Sequence, residues 1–188
     1  MIARLLFRAR LWRDTRGAVA VEFAVLAPLL ILFYFGMCEV TQAMMAQRRL
    51  SHTTSLIGDI AAQNATITQS RVTDIFAIGK TVMSPFSSTN LKMCLVSLTS
   101  DTTAAASDGT RKGTVAWTAN SNASDCPKAA ATVTVSDGVL PKSSSVIMST
   151  ASYTYASPTS MLISKSITFK RTFYLRPRKS DTVTWATS

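Results

Sequence analysis

Two residues near the N-terminus have types and a spacing that could carry chemistry. Gly17 ends an arginine-rich segment, and Glu22 lies five positions later within an otherwise apolar run. A carboxylate is costly in lipid unless it is paired, so an acid at this position predicts a functional contact. The chemistry expected of Glu22 is therefore an ion pair.

Cysteines are the second group of reactive side chains. Cys94 and Cys126 follow the apolar run, whereas Cys38 lies at its end. An oxidising compartment would let Cys94 and Cys126 pair, and closing a loop of about 30 residues would contribute roughly 3–4 kcal/mol. Two free buried thiols are the alternative. The spacing of the cysteines and His52 matches no metal site, so neither a metal nor a cofactor is expected.

Catalysis and nucleic-acid binding are both poorly supported. Beyond the apolar run there is one histidine, His52, and no nucleophile–base pair or paired carboxylate at a motif spacing, so no catalytic residue is predicted. The net charge is +10, but residues 1–17 carry five arginines and one aspartate, or +4, which leaves +6. No nucleic-acid motif accompanies that charge.

The apolar run at residues 18–38 is long enough to cross a membrane. Its 21 residues include one charge and one proline, and a spanning helix needs about 20 apolar residues. The preceding arginines predict a cytoplasmic N-terminus. A buried core helix and a cleaved secretory signal are alternatives, but no second apolar segment could cover such a helix, and the run exceeds the roughly 7–15 residues of a signal.

The helix is expected to continue beyond the membrane. Apolar residues recur at three- and four-residue steps, which is the helical period: Val40, Ala43, Met44, Leu50, Ile57 and Ala61. Gly58 is a candidate weak point, Asn64 a candidate end, and Pro28 a candidate kink. A second helix is predicted at 70–83, capped by Ser70.

From residue 90 the sequence favours strands. β-Branched residues alternate with polar ones over Leu91–Leu98, Thr114–Thr118, Thr132–Val135, Val146–Tyr155 and Ile167–Leu175. Residues 99–112 and 119–131 are predicted to be exposed loops. The predicted fold is α+β and pilin-like: a long N-terminal helix packed on a small antiparallel β-rich domain. The expected divisions are a leader (1–17), a transmembrane segment (18–40), its periplasmic continuation (41–64) and an exported domain (65–188).

The N-terminal residues resemble a known family. The stretch from Gly17 to Leu30, GAVAVEFAVLAPLL, is similar to the N-terminal signature of TadE-like proteins, which are minor pseudopilins of tight-adherence (Flp-type, type IVb) pili. The residues Tyr153–Pro158 and Arg176–Arg178 are similar to the family's C-terminal pattern. The middle of the chain carries no resemblance.

The resemblance implies processing and assembly. A prepilin peptidase would cut between Gly17 and Ala18, where a residue without a side chain lets the enzyme approach the backbone. Glu22, with Phe23 beside it, would then serve assembly by pairing with the N-terminal ammonium of a neighbouring subunit. The alternative is that Glu22 reaches the leader's arginines or lipid headgroups.

Two classes of function follow. The first is a pilus subunit in the bacterial inner membrane, with a periplasmic C-terminal domain and a possible extracellular place in the pilus. Its partners would be the peptidase, other pilins and the assembly platform, with no nucleic acid or small-molecule substrate. The second is an uncleaved, single-pass membrane-anchored binding or scaffold module, which would have no use for Gly17 or Glu22.

Overall fold

A computed structural model describes residues 17–101, 105–160 and 163–187. Its dominant element is helix α1, Ala18–Ala62, which continues through Pro28. At 1.5 Å per residue its 45 residues extend about 67 Å. The continuation of the helix beyond residue 40, which the sequence predicts, is therefore present. Helix and sheet together give the α+β arrangement that the sequence predicts.

The buried face of α1 differs from the predicted stripe. Ala43, Leu50, Ile57 and Ala61 are buried as expected, but Val40 and Met44 are 47% and 51% exposed. The prediction was wrong for these two residues because the face turned toward the domain passes through Glu39, Ala43 and Ala46. At about 100° per residue, Val40 and Met44 lie roughly a quarter turn or more from its centre.

The second helix, α2, runs from Gln69 to Val82. Its N-cap is Thr68, whose side chain accepts a hydrogen bond from the Arg71 N–H, so the prediction of Ser70 as the cap was wrong. Thr68 has the extended backbone of a capping residue, whereas Ser70 is already helical. Val72, Ile75, Phe76 and Gly79 form the buried face of α2, which packs against α1.

Five strands form an antiparallel sheet in the order β4-β3-β2-β5-β6. They are β2 (Leu91–Thr99), β3 (Thr110–Ser121), β4 (Thr132–Ser136), β5 (Ser145–Tyr155) and β6 (Ile167–Leu175). A parallel pair that was not predicted joins β1 (Thr66–Ile67) to β7 (Thr184–Trp185). Strand β3 also extends into both segments predicted as loops, where Arg111 and Ala119 are buried.

The sheet has a hydrophobic core on each face. The inner core lies between the sheet and the two helices and includes Leu50, Ile57 and Met93. The outer core includes Val96, Leu98 and Leu140 and is covered by residues that follow β3 and β4. A register shift between Ser97 and Leu98 sets Trp117 in the inner core and Val115 in the outer one.

Helix α1 approaches the sheet closely at Gly58. A β-carbon placed there would lie 2.5 Å from Leu175 Cδ1 and 2.8 Å from Ser149 Cβ. The Ser149 hydroxyl donates a buried hydrogen bond of 2.7 Å to the Thr54 carbonyl on α1. Gly58 therefore allows close packing of helix on sheet and does not interrupt α1.

Candidate membrane and assembly site

The first part of α1 has an exposed apolar surface. Its large apolar side chains from Val19 to Phe35 are 38–72% exposed. Residues 18–35 extend about 27 Å, close to the roughly 30 Å hydrocarbon thickness of a bilayer. Within the described residues this is the one helix long and apolar enough to cross a membrane.

Gly17 and Ala18 lie where this helix begins. Gly17 is the N-cap, with φ −84° and ψ −13°, and α1 starts at Ala18. A β-carbon at Gly17 would meet no atom of the described residues within 4 Å, and the backbone conformation of Gly17 is open to any residue. The fold therefore does not require glycine at this position.

Glu22 and Phe23 lie in the second turn of α1. Both are exposed, Phe23 to 67%. Within residues 17–101, 105–160 and 163–187, no hydrogen bond or ion pair involves the Glu22 carboxylate. The site therefore presents a carboxylate and an aromatic ring on an apolar helix, ready for contacts outside the chain.

A second acid of α1 has a different environment. Glu39 is 2% exposed, and its carboxylate accepts hydrogen bonds from the Thr159 hydroxyl and, at 2.9 Å, from the Ile163 N–H. Both donors lie in the connection between β5 and β6. Buried carboxylates require such partners, so Glu39 fastens this connection to α1 where the helix enters the folded domain.

Glu39 is not among the site residues that the sequence predicts. The available signal was its helical spacing. Glu39, Ala43 and Ala46 follow one another at four- and three-residue steps, so an acid at the end of the apolar run shares a face with small residues that can pack closely. An acid on such a face predicts a buried contact.

Aromatic side chains pack beside this junction. The ring centroid of Phe86 lies 6.3 Å from those of Tyr153 and Tyr155. Burial raises the pKa of Tyr155; the Ser157 hydroxyl opposes that rise, and the Glu39 charge adds to it. Burial also raises the pKa of Tyr153. Both tyrosines belong to the inner core.

The remaining candidate residues lie elsewhere. Cys94 and Cys126 form a disulfide with Cα atoms 5.7 Å apart, on the sheet face opposite α1. Arg178 Nη2 lies 2.6 Å from Asp59 Oδ1, near the end of α1. Asp59 lies near the C-terminal end of α1, so this ion pair joins the C-terminal part of the chain to the helix.

The chemistry available in the described residues is that of packing and pairing. No group of three or more His, Cys, Asp or Glu side chains within them could hold a metal ion. The first half of α1 offers an exposed Gly17 at its start, an apolar surface of about membrane length and the exposed Glu22 carboxylate.

Comparison with known proteins agrees with this placement. The model of the TadE-like protein family matches residues 17–55, which begin at the N-cap of α1 and end within its buried half. The family indicates a role in the tight-adherence pilus system. The match does not extend to the sheet domain or to the C-terminal residues. No curated protein and no solved structure matches the chain significantly.

Proposed function

We propose that this TadE-like chain is a minor pseudopilin of a tight-adherence pilus, cut after Gly17 by a prepilin peptidase, with a structural role in priming or tipping the filament. The observation that carries the proposal is that the family match begins at Gly17, the N-cap of α1, and that the helix then presents an exposed apolar surface of about membrane length.

The environment of Gly17 supports a role in processing. Because the surrounding space is open and the backbone is ordinary, a larger residue would fit the protein's own fold. A requirement for glycine would then come from the enzyme that approaches this bond. The arginine-rich leader, on the cytoplasmic side by its charge, would leave with the cut.

The position of Glu22 supports a role in assembly. Ala18 and Glu22 are four residues apart, which places them on one helix face about 6 Å apart along the axis. A carboxylate here needs a cation, and the new ammonium of Ala18 on a neighbouring subunit supplies it. Such a pair offsets adjacent helices by about 6 Å. Phe23 would pack against the same neighbour.

The proposed topology has α1 crossing the inner membrane, with the sheet domain in the periplasm before assembly. The Cys94–Cys126 disulfide supports this side, because disulfides persist in oxidising compartments. The partners would be the prepilin peptidase, other pilins and the assembly platform. In this location the protein is a structural component and not an enzyme.

Assembly is tested by Glu22→Ala, with Val25→Ala as the control because Val25 is an exposed apolar residue of the same helix. Both variants are expected in the membrane fraction at processed size. Only the Glu22→Ala strain is expected to lose pili, which are measured as the pilus protein sheared from the cell surface. Normal piliation in Glu22→Ala would contradict the assembly role.

A further inference from the structure

A small cleft lies on the outer face of the sheet, away from α1. Its floor is formed by β2, β5 and β6, and one wall is the loop that the Cys94–Cys126 disulfide holds against the sheet. Its volume is about 180 Å³. Ordinary small-molecule pockets hold roughly 300–1,000 Å³, so the cleft has room for one small ring or end group.

The charged side chains of the cleft leave an excess of positive charge. Lys170 Nζ lies 2.6 Å from Asp125 Oδ2, and Lys92 also lines the cleft. The hydrogen bond from Lys170 lowers the pKa of Asp125, and the charge of Lys92 acts in the same direction. Two ammonium groups thus face one carboxylate, which favours a ligand that carries a carboxylate of its own.

The rest of the lining is rich in hydroxyl groups. Thr150, Ser152 and Thr172 all line the cleft, and the hydroxyls of Thr150 and Thr172 lie 3.1 Å apart. Tyr174 adds a ring that is 39% exposed. Hydroxyls donate and accept hydrogen bonds, and a tyrosine presents an apolar body with a polar tip. A sugar ring has matching hydroxyls and C–H faces.

We propose that this cleft binds a carboxylated sugar residue, a uronate, within an acidic polysaccharide. The carboxylate would meet the ammonium groups of Lys92 and Lys170, the ring hydroxyls would meet the threonine and serine hydroxyls, and a ring face would lie against Tyr174. The volume admits one residue, with the polymer continuing over the surface. Because the cleft lies on the sheet face opposite α1, insertion of that helix in lipid does not cover it.

The proposal is tested with the full-length protein in detergent micelles and trigalacturonate as the probe, with binding measured by calorimetry. Lys92→Met is expected to weaken binding about two- to fivefold, the size of one exposed charge pair. Lys112→Met is the control, because Lys112 is an exposed lysine of β3 that does not line the cleft. Asp125→Asn, which removes the competing carboxylate, is expected to tighten binding by a similar factor.

Two further probes separate recognition of the carboxylate from recognition of the sugar ring. Maltotriose, which is neutral, is expected to bind more weakly than trigalacturonate, and so is triglutamate, which has carboxylates without sugar rings. Equal binding of triglutamate and trigalacturonate would overturn the sugar assignment. Absence of trigalacturonate binding, or equal effects of Lys92→Met and Lys112→Met, would overturn the site. Urea unfolding of each variant separates these outcomes from a folding defect.

Discussion

The substitution Gly58→Ala tests whether close packing of α1 on the sheet outweighs helix propensity. In a helix, alanine is favoured over glycine by about 1 kcal/mol. The added methyl group would lie 2.8 Å from Ser149 Cβ, an atom fixed directly to the backbone of β5. Overpacking of this kind costs about 1–3 kcal/mol.

Movement of Ser149 would also disturb its buried hydrogen bond to the Thr54 carbonyl, worth about 1 kcal/mol. The combined effect is a net destabilisation of about 1–3 kcal/mol. For a protein of this size each kcal/mol lowers the Tm by roughly 2–4 °C. We therefore expect the Tm of Gly58→Ala to fall by about 2–12 °C.

The assay is urea and thermal unfolding of the full chain in detergent, followed by the fluorescence of Trp117 and Trp185, which pack together at 5.6 Å in the folded domain. Gly138→Ala is the matched control, because a β-carbon at Gly138 would make only an ordinary contact of 3.8 Å with Ser136. Its stability is expected to change by less than about 0.5 kcal/mol. A Gly58→Ala protein as stable as the wild type would refute the packing argument.

Three other predictions use the same unfolding assay. Glu39→Ala leaves the donors in the β5–β6 connection without an acceptor and is expected to lower the free energy of unfolding by about 1–3 kcal/mol. Glu39→Gln is expected to lower it less, and equal losses would argue against a role of Glu39 as the hydrogen-bond acceptor. Cys94→Ser and Cys126→Ser are each expected to cost about 3–4 kcal/mol and the double variant no more, whereas additive losses would indicate independent contributions. Burial raises the pKa of Tyr155 in the folded state, so the folded protein holds the phenol proton more tightly than the unfolded chain does. The resulting contribution to the free energy of unfolding is complete below about pH 10, the ordinary pKa of tyrosine. That contribution is lost as the pH rises through the folded-state pKa. Tyr155→Phe should reduce this alkaline loss, and an unchanged pH profile would contradict the assignment.

The main elements could be predicted because each has a strong local pattern. An apolar run longer than 20 residues, followed by apolar positions at helical spacing, predicts α1. The alternating segments from Leu91 onward predict most of the sheet. Gly17 and Glu22 stand out from their neighbours by residue type, so the sequence singles them out as candidates, and their roles stay predictions.

Other features depend on contacts between distant segments. The burial of Glu39 requires the β5–β6 connection, which lies about 120 residues later in the chain. Strand β3 extends through alanine- and lysine-containing segments that have little strand preference alone, because β2 and β4 pair with them. The two-residue strands β1 and β7 are too short to give a periodic signal.

The face of α1 that meets the sheet also depends on contacts with distant segments. Its apolar residues cover more than one face, so spacing alone does not decide which side meets the sheet. The face that is buried carries the small residues Ala43 and Ala46, whereas the larger Val40 and Met44 remain exposed. A prediction based on size as well as hydrophobicity would have chosen this face.

The most direct test of the proposed function is the N-terminal sequence of the protein recovered from its native membrane, with and without its prepilin peptidase. A Gly17→Leu variant is the companion, because the fold has space for the added side chain. A start at Ala18 that requires both the peptidase and Gly17 is the expected result. A start at Met1 or Ile2, both in cells with the peptidase and in cells without it, would contradict processing and favour an uncleaved membrane anchor.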